Sequence, residues 1–446
     1  MRVRKLRSSQ LRDYDEIVGT QKINEINTMA DRLRDRRTIH VNSAAVGGGV
    51  SEILSTMVPL MVDVGVESEW HVIEGDRKFF RITKSIHNAL HGDHIELSDE
   101  MKQHLLKVNE ENASNMQFLN DADFVIIHDP QPASIIFHFP RRKGKWIWRC
   151  HIDLSSPNPE AWEFLKKSVS AYDAAVFHTD SFAKKDLTLR QFIVPPSIDP
   201  LSPKNRNLED SQIKEVIQKL GINMKKPIVT QIGRFDRLKD PEGVVTMFKQ
   251  LRASSDLISS RFLARMEDRA FMAETKEDPK RKKQLQSQLV LAGGFASDDP
   301  EGQEVYDAVL EKAAGNKSIH VLSLPPSSDI EVNALQRASS VVLQKSLKEG
   351  FGLTVSEALW KGKPVVGGNA GGIPLQIMDG YNGFLVTTID EASAAIASLI
   401  RYPRKAKEMG KIGKEHVRKN FLITRHMRDY FLMFQTLDLI PQRSTL

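Results

Sequence analysis

Short β-branched runs alternate with longer helical stretches along this chain, and the alternation restarts after a proline-rich break. A strand, a helix and a second strand join as parallel neighbours through a right-handed crossover. Each series therefore predicts an α/β unit with a doubly wound parallel sheet. The first series has strand patterns at residues 38–43, 69–75, 123–129, 146–153 and 174–179. After the first of these, Val50, Ile53, Leu54, Met57, Leu60, Met61 and Val64 recur at helical spacing. Residues 192–207 are rich in Pro, Ser and Asn and read as a linker. The second series has strand patterns at 227–233, 289–294, 319–324, 340–346 and 364–369. At 446 residues the chain is too long for one ordinary core. We expect two Rossmann-like domains, 1–205 and 206–422, with a charged surface insertion at about 254–288 breaking the second series.

Composition excludes several functions. No long uncharged apolar run is present, and the basic start (MRVRKLRSSQ) lacks the apolar stretch of a signal peptide. The reading is a cytoplasmic protein without membrane association. A single cysteine, Cys150, allows no internal disulfide. Net charge is +6, and the one dense basic cluster, 276–284, carries no aromatic residue, so we expect no nucleic-acid partner.

Ligands of open α/β sheets bind beyond the carboxyl ends of the strands, and five loops there carry chemistry. The most informative is KEGFGLTVSEALWKG, 348–362. Gly350 and Gly352 allow close backbone approach, and the helix start at Leu353 and Thr354 offers unpaired N–H donors suited to phosphate. Glu349 and Glu357 flank that anion site. Carboxylates accept hydrogen bonds from hydroxyls, so sugar rings are their natural partners. In QIGRFDRLKDPEG, 231–243, Arg234 and Lys239 supply fixed cations. A leaving diphosphate gains charge in the transition state, and such cations lower its energy. The loop AVGGGVSE, 45–52, brings Gly48 and Gly49 to a helix start without matching the dinucleotide fingerprint, which argues against an NAD-dependent oxidoreductase. Finally, HDPQP and RCHIDLSSPN place Asp129, Gln131, Arg149 and Asp153 at strand ends, where they suit the hydroxyls of an acceptor sugar.

The segment 348–362 resembles the donor-site motif of retaining GT-B glycosyltransferases of the glycogen-synthase and sucrose-synthase type. The resemblance implies that Glu349 contacts the transferred hexose and that Glu357 binds the ribose. It further implies that the backbone of Phe351, Gly352 and Leu353 touches hexose hydroxyls. Leu353 and Thr354, with Arg234 and Lys239, would hold the diphosphate. Gly48 and Gly49 would lie against the donor, and His151 resembles the family histidine near the hexose 6-hydroxyl. Over most of the chain, HVNSAAVGGGVSEIL, VIEGDRKFFRITKSIHNALHG, WRCHIDLSSPN, PPSIDPLSPKN and DDPEG narrow the likeness to glycosyltransferring trehalose synthases. Those enzymes join glucose from a nucleoside diphosphate glucose to free glucose, reversibly and with retention. What this implies is UDP- or ADP-glucose as donor, glucose or trehalose as the other partner, no required cofactor or metal, and magnesium as a stimulant at most. We also expect an acceptor-side first domain and a last helix, about 423–446, packing back on that domain; a homodimer is one assembly open to the chain, and the sequence leaves the oligomeric state open. Trehalose phosphorylases share much of the pattern and remain the alternative, beside other retaining nucleotide-sugar transferases. One departure stands out. GGNAGG, 367–372, has no basic residue near Gly368 where the family pattern has one.

Overall fold

The structure is a computed structural model that describes residues 1–3, 9–253, 286–294 and 301–440. The expected insertion lies outside the described residues through 285, as do positions 298–300 of DDPEG. The chain divides into two compact units. One comprises Met1–Asp199 with Phe421–Leu446, and the other Pro200–Asn420.

The first unit is built on six parallel strands in the order β2-β1-β3-β4-β5-β6. They are β1 Arg37–Asn42, β2 Glu67–Val72, β3 Phe124–His128, β4 Lys145–Arg149, β5 Ala174–Phe177 and β6 Arg190–Ile193. β3 is buried at every residue and β4 at all but its first. Helices cover both faces of such a sheet, so its central strands need apolar side chains on both sides. The final helix, Ile423–Asp438, belongs to this unit and packs on the helices Thr20–Asp31 and Gly49–Asp63. Its Phe434 stacks on Phe124 of β3 with ring centroids 4.4 Å apart.

The second unit has six parallel strands in the order β12-β11-β10-β7-β8-β9. They are β7 Ile228–Ile232, β8 Gln288–Gly293, β9 Ile319–Ser323, β10 Val341–Gln344, β11 Val365–Gly368 and β12 Gly383–Val386. Residues 200–207 fold with this unit. Asn333 Nδ2 donates to the carbonyls of Pro203 and Arg206, both at 2.8 Å, and Lys361 Nζ donates to Asn205 Oδ1 at 2.8 Å. These bonds put the change of unit at Asp199/Pro200, inside the proline-rich stretch, rather than at its end.

In both sheets the chain reverses its direction of winding once, between β1 and β3 and between β7 and β10. Such switch points open crevices at the carboxyl ends of the strands. Most of the chemistry-bearing residues lie in the loops after these four strands, with Arg149, His151 and Asp153 at the end of the neighbouring β4.

Candidate functional site

In the second unit the loop after β7 meets the loop after β10. Leu347 N–H donates to the Leu238 carbonyl at 2.8 Å. Gln231 clamps the same junction, its amide donating to the Lys239 carbonyl at 3.0 Å while its oxygen accepts from Lys345 N–H at 3.2 Å. Lys345, buried, pairs with Asp240, which sits in the left-handed region at φ 51° and also accepts from Gly243 N–H at 3.1 Å. Burying a cation is costly unless a counter-charge or hydrogen bonds offset the lost hydration. This pair therefore holds the turn that carries Lys239 against the loop that carries Glu349.

Glu349 is buried. Its Oε2 accepts from Ser346 Oγ at 3.0 Å and Gln344 Nε2 at 3.4 Å, and it pairs with the Lys239 ammonium. The structure thus brings Lys239 and Glu349 together directly, although 110 residues separate them in sequence. Glu357 is buried in the helix Leu353–Trp360, where Gln336 Nε2 donates to it at 3.2 Å and Lys204 Nζ lies 3.6 Å away. Thr354, half-buried, donates to the Ile232 carbonyl at 3.3 Å, tying the helix start to the end of β7. Phe351 is buried, and its carbonyl accepts from Gln376 Nε2 at 2.5 Å. Gly352 caps the helix at φ 81°, a conformation that a side chain would strain. Leu353 opens the helix, and Arg234 follows β7, half-buried.

The glycines of GGNAGG have a packing reason. A Cβ on Gly368 would stand 2.4 Å from the Ser346 carbonyl oxygen, and one on Gly371 would stand 1.5 Å from that of Glu349. Backbone lies against backbone here, so no basic side chain fits at 368. Gly371→Ala must displace the Glu349 loop and also strain φ 54°. The expected outcome is a loss of at least about 2 kcal/mol of stability with a raised KM for the donor. Thermal melts and steady-state kinetics check it, and a variant with unchanged values contradicts the packing.

In the first unit, Gly48 is the exposed N-cap of the helix Gly49–Asp63. Gly48 N–H bonds Ser51 Oγ at 3.3 Å, and that hydroxyl donates to the Gly48 carbonyl at 2.7 Å. Asp129 follows β3 in the left-handed region at φ 66°, a strained position for a non-glycine residue. Its carboxylate accepts the backbone N–H of His151 at 2.7 Å. Burial pushes the Asp129 carboxyl up to about 7, against the His151 N–H bond and the Arg149 charge, which pull it down. The side-chain oxygen of Gln131 is buried with no hydrogen-bond partner among the described residues.

Two residues expected to hold acceptor hydroxyls sit differently. Arg149 is 0% exposed, and its guanidinium donates to the carbonyls of Phe177 and Val194 at 3.3 and 2.5 Å. It ties the ends of β5 and β6 together, because a strand-end side chain that points inward meets backbone rather than solvent. Asp153 is buried and caps its own loop, accepting Ser155 N–H at 2.9 Å.

His151 belongs to a row. His40 Nδ1 lies 3.1 Å from His128 Nε2, His128 Nδ1 lies 3.0 Å from His151 Nε2, and His151 Nδ1 lies 3.2 Å from His178 Nε2. Burial pulls His40 down to about 3 and holds His128 and His151 well below the usual histidine range. Sequence reading did not single out His40, His178, Lys345 or Asp240 as site residues. Each lies in an ordinary strand or turn pattern, and only the adjacency of strands reveals it.

Residues 40–184 match the family described as "Trehalose synthase, N-terminal domain", and residues 271–416 match "Glycosyl transferases group 1". The chain is 42% identical to the trehalose synthase of Pyrococcus horikoshii, over 96% of each chain. It is 39% identical to that of Rubrobacter xylanophilus, over 96% of this chain and 97% of the relative. A trehalose phosphorylase of Pleurotus pulmonarius is 28% identical over 91% of this chain and 58% of its own length. Among solved structures, the sucrose-phosphate synthase of Thermosynechococcus elongatus superposes with a TM-score of 0.66 at 15% identity, over 91% of this chain and 99% of that one. A UDP-forming α,α-trehalose-phosphate synthase of Burkholderia xenovorans gives 0.68 at 14% identity, over 90% and 100%. At that identity the likeness shows the fold alone, which is the GT-B class of two Rossmann-like domains.

Proposed function

The chain belongs to the trehalose synthase family of glycosyltransferases, and from that premise we propose that it makes trehalose reversibly from a nucleoside diphosphate glucose and glucose, with retention at the anomeric carbon. The observation that carries this reading is the convergence of Lys239 and Glu349 at the switch point of the second sheet, beside the helix start at Leu353 and Thr354. A cation, a hydroxyl acceptor and helix-terminal amides suit one ligand that joins a hexose to a diphosphate.

In this proposal Arg234, Lys239 and the first-turn amides hold the diphosphate, Glu357 accepts from the ribose, and Glu349 accepts from the hexose. The backbone of Phe351, Gly352 and Leu353 follows the sugar. Gly48, Gly49 and His151 are the first unit's groups toward the donor, and Asp129 and Gln131 take the acceptor. Arg149 and Asp153 act one step back, through the loops that they fix. The bond from the anomeric carbon to the phosphate oxygen breaks as the acceptor hydroxyl bonds the same carbon from the same face. The hydroxyl proton passes to the departing phosphate oxygen. Positive groups fixed around that oxygen lower the barrier without reorganising. Residues and backbone supply this field, so the proposal assigns no cofactor, and magnesium would act as a stimulant at most.

The test supplies purified protein with UDP-glucose or ADP-glucose, with and without glucose, and measures nucleoside diphosphate and non-reducing disaccharide. Glucose-dependent formation of both supports the reading. The match to a trehalose phosphorylase favours one second reading, in which trehalose and phosphate yield glucose 1-phosphate. Product from that mixture alone, and none from either nucleotide sugar, selects it.

A further inference from the structure

We propose that His40, His128 and His178 are positioning residues that fix the ring of His151 through a one-way row of hydrogen bonds, an inference that rests on the reading of His151 as a sugar-side residue. The row crosses four neighbouring strands. His40 lies in β1, His128 ends β3, and His151 and His178 follow β4 and β5. Each link joins Nδ1 of one ring to Nε2 of the next, at 3.1, 3.0 and 3.2 Å. The first three rings stack in turn, with centroids 5.3 Å apart at both steps and interplanar angles of 28° and 19°. The fourth meets His151 edge-on, at 5.2 Å and 69°.

The direction follows from the buried end. A neutral imidazole has one N–H and one lone pair, and each bond in a row fixes the tautomer of the next ring. Two settings satisfy all three links, with every shared proton on Nδ1 or every shared proton on Nε2. His40 is 0% exposed, and its Nε2 has no hydrogen-bond partner among the described residues. A buried N–H without an acceptor costs more than a buried lone pair without a donor. His40 Nε2 therefore carries the lone pair, and the protons sit on Nδ1 along the row. His151 accepts from His128 and donates to His178. Neither ring nitrogen is left over for a sugar hydroxyl, and a hydroxyl gains one only by displacing a neighbour in the row.

The row is thus a device that holds one ring, in one tautomer, at the carboxyl edge of the first sheet. Disturbing it moves the step in which the sugar is oriented and leaves nucleotide affinity in place. Selective ¹⁵N labelling of the histidines in the full chain reads the tautomers independently of activity. The expected spectrum shows His40, His128 and His151 neutral with the proton on Nδ1. His178→Leu removes the acceptor for His151, so its tautomers mix and kcat falls by about tenfold with the donor KM unchanged. His178→Gln offers an amide oxygen in the same place, keeps the Nδ1 proton on His151 and restores most of kcat.

A proton on Nε2 of His151 in the unaltered protein overturns the proposal. So does His178→Leu with the parent's spectrum and the parent's kcat. If His178→Leu does not fold, the parent spectrum and His178→Gln still decide. If His151→Ala leaves turnover untouched, the sugar-side reading of His151 fails, while the tautomer spectrum still tests the row.

Discussion

Lys239→Ala should lower kcat by roughly 10²–10³-fold, the usual loss when one fixed donor to a developing negative charge is removed. The ammonium is placed for that work. It sits on a short turn, Arg237–Lys239, whose next residue is pinned by the buried Lys345, and it pairs with Glu349. In the proposed reaction the Lys239 charge is shared between that carboxylate and the leaving diphosphate. Its effect then grows as the sugar–phosphate bond breaks, so kcat should fall by far more than KM changes. Lys239→Arg keeps the charge but replaces a compact ammonium with a planar fork, and should recover only part of the rate. The measurement is steady-state kinetics with both nucleotide sugars, beside a melting curve to separate rate from folding. Near-normal kcat in Lys239→Ala would remove Lys239 from the reaction.

The second large effect is on stability. Phe434→Ala should cost the first unit about 3–5 kcal/mol, the range for removing a buried aromatic ring. Phe434 is fully buried, stacked on Phe124 of β3 and edge-on to Tyr430 at 5.8 Å. Folded domains hold only about 5–15 kcal/mol in all, so one ring is a large share. Ending the chain after Asn420 should prevent the first unit from folding. The lost helix buries Met427, Tyr430, Phe431, Met433, Phe434 and Leu437. At about 1.5–3 kcal/mol for each buried side chain, the loss is on the order of 10 kcal/mol or more. Denaturant melts of Phe434→Ala and the solubility of the shortened chain test both statements. A truncated protein that melts like the parent would show the helix to be an accessory.

Much of the sheet was legible because buried parallel strands read as β-branched and aromatic runs between helical patterns. FVIIH in β3 and KWIWR in β4 announce themselves. β6 does not. Its residues RQFI lie at the sheet edge, exposed at their first and last positions, and they run into the prolines that mark the linker. β12 is also an edge strand of four residues, GFLV, and too short to show a period. The other two edge strands, β2 and β9, are six and five residues long and were legible, so it is the four-residue length at an edge that leaves β6 and β12 without a readable pattern.

The same distinction divides the site. Glu349, Gly352 and the helix start at Leu353 and Thr354 belong to one local turn, and local chemistry dictates its residues. The sequence by itself therefore determined the two α/β series, the glycine turn and the residue types fit for a sugar diphosphate. The tertiary structure alone decided which distant groups meet. It set Lys239 on Glu349, put Lys345 under Asp240, left no room at Gly368, turned Arg149 inward onto carbonyls, and lined up four histidines from four strands. The physical reason is that a strand pattern records only how much of each side chain is buried. Which neighbour a buried polar group finds depends on strand order, and strand order is a property of the whole sheet.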